Sequence, residues 1–262
     1  MSDMVDLKGR VAFITGAGQG VGRQVAIRMA MQGARAIVVN DYRLERAESV
    51  VAEVRGLGAE ALAVSGDVGD LDGVAAQVDR AITAFAGIDI LVNNAGNAGP
   101  NPTTAMDRPF WEQGRAEWDN WIGTNFYGVM NTCRAIVPVM IERGYGRIVN
   151  VISDAGRYGE PHREVYSASK AGAAGFTRSL AASLGRYRIT ANCVSLAATR
   201  TPRTEAALSD AEFTRKAMQG YIIRRPGEPD DAANMITFLA SDAASWVTGQ
   251  TVPVNGGYSF AL

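Results

Sequence analysis

The chain has 262 residues, 47% of them hydrophobic, and a formal net charge of −1. That length can hold one large α/β domain or two small ones and bury a full core. The near-neutral charge gives no electrostatic case for nucleic acid or an anionic membrane as a partner.

The amino terminus, MSDMVDLKGR, lacks the basic-then-apolar layout of a signal peptide. No apolar run reaches the ~18 residues of a membrane span, so a soluble, cytoplasmic protein is expected. Only Lys8, Lys170 and Lys216 among the 26 basic residues are lysine. In a chain that otherwise chooses arginine, a lysine can mark chemistry that arginine cannot do. Cys133 and Cys193 stand in apolar surroundings with no metal-type cluster, and read as buried reduced thiols.

Taken in order, VAFIT (11–15) reads as a buried strand and VGRQVAIRMAMQG (21–33) as a helix closing on Gly33. AIVVN (36–40) is the next strand and RLERAESVVAEVRGLG (43–58) the next helix. ALAVSGDV, LDGVAAQVDRAITAFAG and IDILVNNAG carry the alternation to residue 96. Later come RIVNVIS (147–153), VYSASKAGAAGFTRSLAASLG (165–185), ITANCVS (189–195), PDDAANMITFLAS (229–241) and TVPVNGG (251–257). The strands are continuous aliphatic runs, the mark of strands covered on both faces in a parallel sheet. Repeated βα units imply a doubly wound α/β fold in a single domain, with ligands at the carboxyl ends of the strands.

The first strand runs into GAGQGVG, with Gly16, Gly18, Gly20 and Gly22 around Gln19 and Val21. Glycines there let backbone approach a pyrophosphate, and the following helix offers free N–H groups at its positive end. Strand before and helix after supply the context for nucleotide binding, against the alternative of a plain tight turn. Asp41, ending the second strand, suits the ribose hydroxyls of NAD and would repel the 2′-phosphate of NADP. Arg43 could instead meet that phosphate, and Asp41 could also act as a helix N-cap. The later strand ends, Asp67-Val68 and Asn93-Asn94-Ala95-Gly96, suit packing against an adenine and its ribose, although each alone could be turn chemistry.

RIVNVIS ends at Ser153; Tyr166 follows 13 residues later and Lys170 four after that. Four residues on a helix set two side chains on one face. A nearby ammonium favours the phenolate of a tyrosine, whose unperturbed pKa is about 10. The tuned phenol can exchange a proton with a substrate oxygen, which a serine hydroxyl can hold. Taken alone, the pair could also be an unremarkable surface contact.

With TGAGQGVG at 15–22, NNAG at 93–96, Asn125 in TNFYGV, Ser153 and Tyr166-Ser-Ala-Ser-Lys170 in this order, the chain resembles the short-chain dehydrogenase/reductase family from about Leu7 to Gly257. The resemblance implies a Rossmann-type, seven-stranded parallel sheet and a homotetramer. It also implies a catalytic tetrad: Tyr166 as general acid/base, Lys170 lowering its pKa and holding the nicotinamide ribose, Ser153 orienting the substrate oxygen, and Asn125 anchoring a water. Where the family carries Pro-Gly, three residues and Thr after the sixth strand, this chain has Leu196-Ala197, Ala198, Thr199, Arg200 and Thr201. Thr199 and Thr201 are expected to meet the cofactor, on a loop that must turn without glycine. The segment 98–121 is longer than usual. Its Trp118 is expected in the core, while Phe110 and Trp111 could wall a substrate pocket or an oligomer contact. Residues 198–225 correspond to the substrate lid, where Arg200, Arg203, Arg224 or Arg225 could meet an anion or simply face solvent. His162, the sole histidine, reads as a loop residue beside the substrate cleft, and no metal site is expected.

The leading expectation is an NAD-dependent enzyme interconverting a small-molecule secondary alcohol and a ketone. The alternatives are an NADPH-dependent 3-oxoacyl reductase, a catalytically silent cofactor-binding regulator, and an isomerase or epimerase on the same scaffold.

Overall fold

The buried aliphatic runs form strands β1 (Val11–Ile14), β2 (Ala36–Asp41), β3 (Glu60–Ser65), β4 (Ile90–Asn93), β5 (Gly146–Ser153), β6 (Ile189–Leu196) and β7 (Thr251–Val254). A computed structural model describes residues 5–97 and 108–260. All seven strands pair in parallel in one sheet, ordered β3-β2-β1-β4-β5-β6-β7. The order reverses between β1 and β4, which places a crevice at their carboxyl ends.

Successive strand residues point to opposite faces, and both faces are covered. On one side Ile14, Ile37 and Val39 pack with α1 (Gly20–Met31), α2 (Leu44–Gly56) and α10 (Pro229–Ala240). On the other, Phe13, Val38, Leu91 and Ile148 pack with α3 (Leu71–Phe85), α5 (Gly128–Arg143) and α7 (Glu164–Leu184). The chain is thus the doubly wound, seven-stranded Rossmann-type α/β fold that the sequence predicts. Boundaries shift by a residue or two: β6 takes in Leu196, and α1 stops short of Gly33, which turns out at φ +78°. Shorter helices complete the fold: α4 (Arg115–Ile122), α6 (Ala155–Tyr158), α8 (Glu205–Leu208) and α9 (Ala211–Ala217). Among the described residues no helix is long and apolar enough to cross a membrane.

A buried polar ladder ties α7 to the sheet. Asn93, Asn150 and Cys193 lie side by side on β4, β5 and β6. The Asn93 amide donates to Asn150 (2.8 Å), Asn150 donates to the Thr177 hydroxyl on α7 (2.7 Å), and the Cys193 thiol donates to the same oxygen (3.2 Å). Thr132 of α5 donates to Asn93 from the other end (2.6 Å). A polar group buried without a partner is costly, so this chain strongly specifies the register of α7 against β5. Both cysteines are free and buried, and burial pushes the Cys133 thiol up to about 12.

Candidate active site

The glycine loop between β1 and α1 lies against the end of β4. Asn94 donates to the carbonyls of Thr15 and Gly16 (both 3.0 Å), while the Thr15 hydroxyl accepts from the amides of Asn94 and Ala95 (both 3.0 Å). A methyl placed on Gly16 would stand 2.9 Å from the Ala95 Cα, so the two backbones meet too closely for any side chain. No side chain caps α1, and its first turn holds no acid. The helix therefore presents bare N–H groups and an uncompensated positive end to the crevice, the arrangement that binds phosphate.

Asp41 ends β2 and is 5% exposed. One carboxylate oxygen accepts from Gly18 N–H (3.1 Å), the other from Arg43 N–H (3.0 Å). It therefore bonds the N-cap residue of α2, Arg43, from two positions before it and is not itself the cap. Arg46, which sequence reasoning missed, approaches the same carboxylate at 4.0 Å. At the next strand end Asp67 accepts from Gly69 N–H (2.8 Å), and Val68 is buried against Gly128.

The Ser153 hydroxyl, at the end of β5, accepts from Ala155 N–H (3.2 Å) and lies beside the Tyr166 hydroxyl, and Lys170 lies one turn further along α7. The Lys170 ammonium is buried, donates to the Val151 carbonyl (3.0 Å) and stands 5.8 Å from the Tyr166 ring centre. Burial lowers the Lys170 pKa to about 8. Burial also raises the Tyr166 pKa; the neighbouring Ser153 hydroxyl and then the charges of Arg163 and Arg203 act against that rise, while Glu160 adds to it. Ser153, Arg163 and Arg203, which the spacing of Tyr166 and Lys170 does not reveal, act on the phenol in this geometry.

Asn125 is 0% exposed and sits in a π-helical turn, Gly123–Tyr127, joining α4 to α5. Such turns recur at functional sites because the extra residue breaks the regular helical ladder. Its amide donates to the carbonyls of Asn97 (2.7 Å) and Trp121 (2.9 Å), while its buried carbonyl oxygen has no partner. A methyl on Gly96 would lie 3.1 Å from both that oxygen and the Lys170 nitrogen, so the lack of a side chain there leaves room between the two. An orphaned buried acceptor facing a lysine is a position for a water or a donor.

Other expected residues fall differently. Trp118 is not core: it is half-buried, stacks on Phe110 (5.5 Å) and lines an apolar cavity of about 280 Å³ with Ile122, Val165 and Ala168. The buried tryptophan is Trp121, which meets the Tyr166 ring edge-on at 5.4 Å. Trp111 is 80% exposed. Residues 98–107 of the long segment lie outside the described residues. Arg200 is paired with Glu205 and Glu228, and Arg225 with Asp231. Arg203 lies 5.8 Å over the Trp121 ring, on the tyrosine side. His162 is an exposed loop residue at φ +63°. The loop after β6 turns with no positive φ anywhere in 196–202, which is why it needs no glycine. Leu196 pairs with Ser153 and Val254, Thr199 bridges Gly227, and Thr201 abuts Gly20 of the phosphate loop.

A parallel doubly wound sheet with a glycine loop at its switch point and a Ser-Tyr-Lys group on the next strand and helix defines a nicotinamide-dependent oxidoreductase scaffold. Comparison with known proteins agrees. The family profile described as enoyl-(acyl carrier protein) reductase matches residues 16–259. The chain is 39% identical over 257 residues to the (2S)-((R)-hydroxy(phenyl)methyl)succinyl-CoA dehydrogenase subunit BbsD of Thauera aromatica, covering 97% of this chain and 98% of the relative. It is 38% identical over 246 residues to the 3-oxoacyl-(acyl-carrier-protein) reductase FabG of Staphylococcus aureus, covering 94% and 96%. Among solved structures, a 7α-hydroxysteroid dehydrogenase complexed with NADH and 7-oxo glycochenodeoxycholic acid superposes with a TM-score of 0.90 at 35% identity, covering 98% of this chain and 97% of that one. The chain belongs to the short-chain dehydrogenase/reductase family and is an NAD(P)-dependent oxidoreductase acting on a CH–OH or C=O group.

Proposed function

We propose that this protein is an NAD-dependent dehydrogenase that interconverts a secondary alcohol and a ketone, with Tyr166 as the general acid/base. The observation that carries the proposal is the placement of the Ser153 hydroxyl beside the Tyr166 hydroxyl, with a buried lysine one helical turn away, at the carboxyl edge of the sheet. The glycine loop fits the dinucleotide. Gly16, Gly18, Gln19, Gly20, Val21 and Gly22 would hold its pyrophosphate, Asp41 the adenosine ribose, and Asp67, Val68, Asn94, Ala95 and Gly96 the adenine side. Thr199, Thr201, Tyr166 and Lys170 would hold the nicotinamide end. When bound, that cofactor supplies or takes up the hydride.

The chain's own residues handle the proton. Ser153 and Tyr166 together hold the substrate oxygen. Tyr166 gives its proton to that oxygen in reduction and takes it in oxidation. Burial keeps the phenol neutral near pH 7, its acid form. Oxidation needs the phenolate, so it should rise with pH while reduction falls. Lys170 and the orphaned Asn125 oxygen border the space from which a water could resupply the proton. Residues 198–225 would form the substrate lid, and the working form would be a cytoplasmic homotetramer.

A second reading, an NADPH-dependent 3-oxoacyl reductase, draws on Arg46 beside Asp41 and on the likeness to FabG. NADH and NADPH titrations, with turnover of free secondary alcohols and ketones against acyl thioesters, separate the two. Tighter NADH binding and turnover of free alcohols are expected. Tighter NADPH binding with thioester-only turnover would contradict the first reading.

A further inference from the structure

The loop after β6 bends without the usual glycine, and the groups that hold it come from elsewhere in the chain. Ala198 N–H donates to the Tyr221 hydroxyl (3.1 Å), and Ala198 O accepts from Gly227 N–H (2.9 Å). The Tyr221 ring stacks on Tyr258 at 4.8 Å, and Tyr258 packs on Tyr158 of α6 at 5.6 Å. Ile223 N–H donates to Gly256 O (2.8 Å), so the chain after Tyr221 is docked on the C-terminal segment.

That segment is pinned beside the candidate catalytic serine. Asp154, which follows Ser153, is 0% exposed. It accepts from Ser195 (2.6 Å), Asn255 (2.5 Å), Ser259 (2.8 Å) and Arg157 (3.1 Å). Arg157 also donates to Phe260 O (2.7 Å). A buried carboxylate with four donors from three parts of the chain is a rigid anchor. It joins the ends of β5 and β6 to residues 255–260.

We infer that Tyr221 is a positioning residue for the cofactor-facing loop after β6, and that the C-terminal segment acts on the cofactor site by clamping the Tyr221 ring through Tyr258. The inference rests on the reading that Thr199 and Thr201 meet the cofactor. The hydroxyl fixes Ala198, the residue before Thr199, so its loss frees the nicotinamide side of the site and leaves the glycine loop and Asp41 untouched.

The test compares NADH, which reaches both halves of the site, with AMP, which reaches only the adenosine half. Tyr221→Phe keeps the stack and removes one hydrogen bond. It should raise the Kd for NADH about fivefold, the size of one net hydrogen bond, and leave the Kd for AMP unchanged. Tyr258→Leu, which removes the clamp, should act in the same direction. Unchanged NADH affinity in Tyr221→Phe, or equal loss of NADH and AMP, would overturn the inference. Thr201→Val separates the two levels. If it weakens NADH while Tyr221→Phe does not, only the Tyr221 inference fails; if it too leaves NADH unchanged, the cofactor reading of this loop fails.

Discussion

Asp41→Asn tests the cofactor preference with a nearly isosteric change. Both Asp41 oxygens accept backbone N–H groups, from Gly18 at 3.1 Å and Arg43 at 3.0 Å. An asparagine has one carbonyl oxygen and one NH₂, so one of those two N–H groups loses its acceptor and faces a donor. The Gly18 bond is part-buried, and an unsatisfied group there costs about 1–3 kcal/mol of folding stability. The ribose loses a charged acceptor, worth about 1.5–3 kcal/mol, which corresponds to a roughly 10- to 100-fold higher Kd for NADH. Arg46 loses its counter-ion at 4.0 Å and turns free to meet a 2′-phosphate, so NADPH affinity should rise. Fluorescence titration with both cofactors, alongside denaturant unfolding, measures all three quantities. A folded Asp41→Asn protein with unchanged NADH affinity would refute the assignment of Asp41 to the ribose.

Four further outcomes follow from the same geometry. Gly22→Ala should destabilise the chain by about 1–3 kcal/mol in chemical denaturation, because the methyl meets the Asn94 amide and Gly16 O and comes within 2.9 Å of Ala17 Cα. Gly56→Ala, with nothing within 4 Å, should be neutral or stabilising by up to ~1 kcal/mol. Arg203→Ala removes a cation that favours the Tyr166 phenolate, so the pH profile of kcat/KM for alcohol oxidation should move to higher pH. Lys170, lowered to about 8 in the fold against 10.5 unfolded, binds its proton more readily when unfolded, so its contribution to stability rises between those pH values. The stability advantage of Lys170→Met over the wild type should therefore shrink as pH climbs through that window, as urea unfolding at several pH values would record.

The sheet was legible because its strands are buried on both faces. A run such as AIVVN shows no alternation, which only a doubly covered strand can sustain. The tyrosine and lysine were legible because a helix converts a spacing of four into adjacency. What escaped the sequence were contacts made across it. Trp118 and Trp121 look alike in the string, yet the helix turns Trp121 inward onto Tyr166 and leaves Trp118 half-exposed over Phe110. Arg46 lies on α2, and only the fold of the strand–helix turn brings it to Asp41. Asp154 and Tyr221 draw their partners from up to 105 residues away in sequence, and no local pattern records that. The Leu196-Ala197 departure was visible as a missing glycine; its physical answer, a loop held from outside in ordinary backbone conformations, was not.

The central claim is that the Tyr166 hydroxyl carries the proton, while most of the hold on the cofactor comes from other residues. Its most direct test is Tyr166→Phe, assayed for turnover with an alcohol or ketone that the wild type accepts and titrated with NADH in parallel. The account predicts a loss of kcat of about 10²- to 10⁴-fold, the usual contribution of a positioned acid/base, with NADH still bound within a few-fold of the wild-type Kd. Turnover retained at the wild-type rate by a variant that binds NADH normally would contradict it.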